Sequence, residues 1–476
     1  MRVATVHYHL KPGGVTRVME NAFAALQGRD VEMVALTSEP YTGDAALPHT
    51  VVPGLAYTQP NEKPDPGALW FNMRKAARDA LEGEPDIWHI HNHCLGKNTA
   101  IPQVIDRIAA EKPVLLQVHD FAEDGRPSNY ASMEKLIPNL KKLYPQGSQV
   151  HYGLLNSRDL SYLTDCGFAS QSLHLLPNPV SLNKLNVEKQ PLPEFSDKRL
   201  LLYPTRAIRR KNLGEILLWA AIADEDTVLA TTLSPSNPTA KPIHNRWREF
   251  AKGIGLPVRF ALGEETDISF PAMMAGADAI ITTSVAEGFG LAFLEPYLFD
   301  QPLVGRNIPD ITSDFSKAGV ELNNLYDRML VPTSWLGEDT VRATLEQGLR
   351  AYYAAYNRDM PGHAVEIAFA SMTAGERIEF GRLSEPLQEK VITRLNNDSS
   401  AREAIKPNVL ERPSQATIIA NRELIAEAFS LEQYGENLFN IYQKVAASEI
   451  EPLSYASREQ VLDQFLDPRR FNLLRT

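Results

Sequence analysis

The feature that most narrows the fold is an alternation repeated twice, in which short apolar, β-like runs are separated by amphipathic helical stretches. Residues 2–7, 31–37, 86–91, 113–118, 149–155 and 172–176 read as strands, with helices over 15–26 and 101–110. Strands separated by helical patterns imply right-handed βαβ units and a parallel sheet. A polar, proline-containing stretch over 181–198 reads as a linker. A second series follows, with strands over 199–203, 227–232, 258–262, 277–283 and 302–304. The expected fold class is therefore α/β, two doubly wound Rossmann-like domains facing a cleft at the carboxyl ends of their strands.

The pattern changes after about residue 314. Residues 326–428 read as mainly helical with few strand signals, 396–404 as a loop, and no fixed-period repeat is present. The expected domains are 1–182, 198–325, a helical insertion or extension over 326–430, and closing helices over 431–476, a candidate to cross back to the first domain.

Composition bounds the function. With 476 residues, 43% hydrophobic and 22% charged, the chain can bury the cores of two or three domains. A net charge of −11 argues against nucleic acid as main partner and weakens a membrane-surface role. Two cysteines, Cys94 and Cys166, cannot form a disulfide framework. The longest apolar run, 216–223, is far short of the roughly 20 residues a membrane helix needs. A cytoplasmic location is the expectation.

The most informative segment is SVAEGFGLAFLEPYLFD, where a β-rich run feeds a glycine-spaced turn expected to open a helix carrying Glu287 and Glu295. A helix start offers free amides and a positive dipole end to an anion. Gly288 and Gly290 let a ligand approach the backbone closely. Eight residues of helix span about 12 Å, too far for a hydrolytic carboxylate pair at roughly 5–9.5 Å. The two glutamates suit a grip on two parts of one long ligand, a sugar hydroxyl and a ribose.

EGFGLAFLE resembles the E-x7-E motif of retaining GT-B glycosyltransferases, specifically glycosyltransferase family 4. The resemblance covers residues 1–310, and it implies a metal-independent hexosyltransferase acting on a nucleotide-diphosphate sugar, with no other cofactor. It places Glu287 at the donor sugar, Glu295 at the ribose, and the backbone of Gly288, Phe289, Gly290 and Leu291 along the donor. Pro296 departs from the family's small residue.

In YPTRAIRRKNL, Arg206 ends a strand and Lys211 opens the next helix. Two cations at such a junction suit a diphosphate leaving group. The same arginine–lysine spacing occurs in the resembling family, with Thr205 in place of its usual glycine. Arg209 and Arg210 read as a solvated basic turn.

Gly13 and Gly14 sit between the first strand and helix, without G-x-G-x-x-G. The resemblance brings this loop near the donor phosphates and makes Thr16 and Arg17 acceptor-side candidates. WHIHNHC sets His89, His91 and His93 on one face of an extended run by period two. With Cys94 this could mimic a metal site, but no matching Cys or His pair follows; a strand end in the cleft is the favoured reading. His119 and Asp120 end another strand. His119 resembles the family's histidine beside the reacting carbon, and His91, His93 and Asp120 fall on the acceptor side. Ser157 reads as a helix N-cap and Asn178 as a turn residue.

The expected partners are a nucleotide-sugar donor and a carbohydrate or small hydroxyl acceptor. Two other readings stand beside this one: a retaining glycosyl phosphorylase on the same scaffold, and a non-catalytic nucleotide-sugar-binding protein.

Overall fold

The computed structural model describes residues 1–59, 61–136, 140–180, 192–405 and 410–475. The first part of the expected linker, 181–191, lies outside the described residues. The chain divides into two units, Met1–Pro179 with Phe429–Leu466 and Val180–Ala428 with Asp467–Thr476.

The first unit contains β1 (Arg2–Val6), β2 (Glu32–Thr37), β3 (His49–Val51), β4 (Ile87–His91), β5 (Val114–Val118), β6 (Pro145–Gln146), β7 (Val150–Leu154) and β8 (Leu173–Leu175). All but β6 form one parallel sheet in the order β3-β2-β1-β4-β5-β7-β8. Every residue of β4, β5 and β7 is buried, as expected of strands covered on both faces. The order reverses between β1 and β4, the switch point where open α/β sheets bind ligands.

Helix Leu431–Ala446 belongs to this unit and packs on helix Gly14–Ala25. Tyr434, Leu438, Ile441, Tyr442 and Val445 share one core cluster with Val3, Val18, Leu26, Ile87 and Leu115. The first sheet therefore draws part of its cover from the far end of the sequence.

The second unit contains β9 (Arg199–Arg206), β10 (Thr227–Leu233), β11 (Val258–Arg259), β12 (Ala279–Thr282) and β13 (Leu303–Gly305), parallel in the order β11-β10-β9-β12-β13. Its order reverses between β9 and β12.

The stretch expected as a helical insertion or extension over 326–430 lies in the second unit through Ala428 and is mainly helical, with short strands besides. β14 (Leu330–Pro332), β15 (Thr373–Ala374) and β16 (Arg377–Glu379) form an antiparallel sheet in the order β14-β16-β15. These runs of two and three residues are too short for period two to register in sequence.

A buried charged network ties this region to the second sheet. Arg306, just after β13, donates to Glu215 Oε1 and Oε2 at 2.9 and 2.6 Å and to Glu379 Oε1 at 2.6 Å. Tyr326 Oη donates to Glu215 at 2.6 Å. Such a network is tolerable in a core because its members are hydrogen-bonded to one another.

Residues 467–476 return to the second unit, where Phe471, Leu473 and Leu474 are buried and Phe471 O accepts from Arg382 Nε at 2.8 Å. A short strand, β17 (Ser454–Tyr455), pairs antiparallel with β6 in the first unit. Cys94 and Cys166 are free and buried. Among the described residues no helix is long and apolar enough to cross a membrane.

Candidate active site

Each unit gathers polar side chains at its own switch point. In the second unit, β9 ends at Arg206 and a 3-10 turn, Arg209–Lys211, follows. Asn212 then takes a left-handed conformation, φ 51°, and leads into helix Leu213–Ile222. From β12 the chain runs through Ser284 to Glu287. Thr283 Oγ1 donates to Lys211 O at 3.0 Å, and Val285 N donates to Arg210 O at 3.0 Å. These two bonds lash the turns after β9 and β12 together and satisfy carbonyls that the 3-10 turn leaves over.

Glu287 is the centre of this cluster, its side chain only 9% exposed. Its carboxylate pairs with Lys211 Nζ, accepts from Arg210 Nη1 at 2.8 Å and accepts from Ser284 Oγ at 2.5 Å. Burial alone would raise its pKa. Lys211 and Arg210 overcome that and hold it at about 2, so it is ionised. Burial pushes Lys211 down against the pull of the same carboxylate.

The structure differs from several expectations for these turns. Glu287 does not lie on a helix: the turn is followed by a 3-10 turn, Leu291–Phe293, and a four-residue helix, Glu295–Leu298. The rise-per-residue distance between Glu287 and Glu295 and the helix-dipole argument therefore do not apply. Pro296 lies in the first turn of that short helix, where its missing N–H costs nothing. Arg210 is not merely a solvated charge: though partly exposed, it grips Glu287 and donates to Ala286 O at 2.6 Å. Arg209 makes a two-pronged ion pair with Glu385, 2.5 and 2.8 Å. Arg206 is exposed at the end of β9.

Gly290 is held at φ 97°, and a Cβ there would sit 2.8 Å from Ile311 Cγ2. The turn therefore requires glycine at this position. Phe289 is buried edge-to-face against Phe315, which anchors the turn, while Gly288 and Leu291 are half-buried.

In the first unit, β1, β4 and β5 bring His7, His91 and His119 to one edge. His91 Nδ1 and His119 Nε2 are 2.9 Å apart, their rings stacked at 5.2 Å, and Thr5 Oγ1 lies 3.2 Å from His91 Nε2. The His7 ring meets His91 edge-on at 6.4 Å. Burial, then neighbouring imidazoles, hold His119 at about 3, and burial holds His7 at about 4. The cluster is neutral at physiological pH.

Asn92, at φ 56°, accepts from the amides of His119 and Asp120 at 2.8 and 3.1 Å. Asp120 pairs with Arg126. His93 departs from the expected face: it lies in the 3-10 turn after β4, its ring against Tyr144 and Tyr152. His89 faces inward to Gln117 and Tyr442 at 3.0 and 2.8 Å. Among the described residues no group of three or more His, Cys, Asp or Glu is placed to hold a metal ion.

Thr16 Oγ1 donates to Lys11 O at 2.6 Å, closing the loop on itself. Arg17 is exposed. Gly13 and Gly14 are exposed and open helix Gly14–Ala25, which has no side-chain cap. Asn156, not Ser157, caps helix Ser157–Asp165.

Sequence reasoning missed His7, Asn92, Arg210 and Ser284. A signal existed for His7, because the histidine pair in VHYHL follows directly on the first strand.

No protein-family profile matches the chain. It is 24% identical over 495 residues to the mannosylglucosyl-3-phosphoglycerate synthase of Petrotoga mobilis, covering 97% of this chain and 95% of that one. Among solved structures, Anabaena HepE in complex with UDP and glucose aligns at TM-score 0.53 and 12% identity, over 93% of this chain and 99% of that one. Sucrose-phosphate synthase from Thermosynechococcus elongatus aligns at TM-score 0.52 and 13% identity, over 94% and 99%. With two parallel α/β sheets in the order shared by both units, and with these neighbours, the chain has the GT-B glycosyltransferase fold.

Proposed function

We propose that the chain is a retaining, metal-independent hexosyltransferase of the family 4 type, moving a sugar from a nucleoside-diphosphate donor to a hydroxyl of a small soluble acceptor. The carrying observation is the ionised Glu287, buried beside Lys211, Arg210 and Ser284 at the second unit's switch point. A cluster with these charges suits a donor whose sugar meets the carboxylate and whose phosphates meet the cations.

In this reading Arg206 and Lys211 hold the diphosphate, Glu295 the ribose, and the amides of the turn from Gly288 to Leu291, with the Gly13–Gly14 loop, the rest of the donor. The anomeric C–O bond breaks first, and its electron pair leaves with the phosphate oxygen, whose charge the cations stabilise. That oxygen takes the acceptor proton on the same face as the new bond forms, which retains configuration. The family resemblance assigns neutral His119 to the reacting carbon as a hydrogen-bonding group, and His91, with Asp120, to the acceptor side. The Petrotoga relative's name points to an acceptor built on phosphoglycerate, and that acceptor class is carried over here.

The test is a thermal-shift screen with UDP-, GDP- and ADP-sugars, followed by transfer to glucosyl-3-phosphoglycerate in EDTA, with the product's anomeric configuration read by NMR. Donor-dependent stabilisation and a retained linkage are expected. An inverted product, or turnover abolished by EDTA and restored by a divalent cation, would overturn the proposal.

A further inference from the structure

Three loops at the carboxyl edge of the first sheet, following β1, β4 and β5, carry a group of cations and hydrogen-bonding side chains that the proposed mechanism leaves unused. His9 follows β1, Lys97 follows the turn after β4, and Arg126 follows β5. Lys97 Nζ stands 5.2 Å over the Tyr57 ring, and Tyr57 Oη lies 2.9 Å from His9 Nε2. The loop bearing Lys97 is fixed by its own backbone: Thr58 N donates to Lys97 O at 2.8 Å, and Asn129 Nδ2 donates to Leu95 O at 2.9 Å.

The local charges do not balance. Lys11 is matched by Glu39 at 3.1 Å, and Arg126 by Asp120. Lys97 is half-buried and has no acidic partner within ion-pair distance among the described residues. Burial, followed by the nearby Arg126 guanidinium, pushes its ammonium below the usual lysine range, while Asp120 pulls the other way. A half-buried ammonium kept without a counter-ion is costly, and in a chain of net charge −11 it is conspicuous. The aromatic face of Tyr57 offsets part of that cost, and an incoming anion would offset the rest.

We infer that Lys97, with Arg126 and the His9–Tyr57 pair, forms a subsite for a phosphate monoester carried by the acceptor. The ammonium supplies a point charge, the nearby guanidinium adds a second, and the Tyr57 phenol, held by His9 Nε2, can donate a neutral hydrogen bond to a dianion. The inference rests on the proposed transferase reading for the acceptor's identity, but the anion subsite belongs to the first unit alone and can be measured without turnover.

The experiment is calorimetric binding of 3-phosphoglycerate and of glycerate to the whole chain and to Lys97→Met and Lys97→Arg. The wild type is expected to bind the phosphorylated compound at least tenfold more tightly than glycerate. Lys97→Met should lose that preference while its thermal stabilisation by nucleotide sugar is unchanged, and Lys97→Arg should keep most of it. Equal binding of both compounds by the wild type, or an undiminished preference in Lys97→Met, overturns the inference. Absence of sugar transfer alongside an intact, Lys97-dependent phosphate preference would instead count against the transferase reading alone.

Discussion

Glu287 shows how single side chains divide the labour here. A carboxylate this buried would be neutral without help, yet two cations and a hydroxyl keep it charged. Its folded pKa, about 2, lies below the ordinary 4.5, so its contribution to stability is complete above about pH 4.5 and is lost as pH falls toward 2. The stability gap between the wild type and Glu287→Gln should therefore narrow across that interval, as read from urea midpoints. A gap constant from pH 5 to pH 2.5 would mean the carboxylate is not held by those cations. Lys211→Ala should lower transfer by roughly two or more orders of magnitude, the range seen when one transition-state donor is removed; steady-state kinetics at saturating donor decide it. His119 and His91 were legible in sequence because strand ends can be located from the run before them. Arg210 was not, since which cation of a basic turn faces inward depends on the 3-10 twist between Arg209 and Lys211.

At the scale of elements, the turn bearing Lys211 does not hold its own shape. Asn212 sits in the left-handed region, which non-glycine residues seldom adopt without support. Support comes from helix Glu385–Asn397: Glu385 clasps Arg209, and Gln388 Nε2 donates to Asn212 Oδ1 at 2.9 Å. The stretch that sequence reading set apart as an insertion is thus a brace for the candidate donor site. Gln388→Ala should cost about 1–3 kcal/mol of stability, the range for leaving a buried polar partner unmatched. It should also reduce kcat for transfer, because Lys211 loses its fixed position. Denaturant unfolding alongside kinetics checks both, and a variant as active as the wild type would remove the brace. The parallel strands were readable from their apolar runs, whereas this contact joins residues 176 positions apart and leaves no local periodic trace.

For the whole molecule, the two sheets were foreseen, and so was a closing stretch that returns to the first domain, but not the chain's second crossing. Sequence showed two α/β series; it could not show that residues 467–476 rejoin the second unit after 429–466 have completed the first. Removing the residues after Leu466 would strip three buried apolar side chains, Phe471, Leu473 and Leu474, from the second unit. At roughly 1.5–3 kcal/mol for each such side chain, several kcal/mol are at stake. Hydrogen exchange should show faster opening around Arg382 and helix Ala364–Met372, with the first sheet unaffected. Uniform protection in both forms would contradict the assignment of the tail to that unit.

The late arrival of helix Leu431–Ala446 bears on biosynthesis. As the chain leaves the ribosome, its opening strands emerge hundreds of residues before the helix whose Tyr434, Leu438 and Tyr442 will lie against Val3 and Ile87. Until then those apolar positions lack their native cover, a condition that favours aggregation in nascent proteins. Halted translation products ending near residue 428 should therefore recruit holdase chaperones, and products extended through residue 466 should release them.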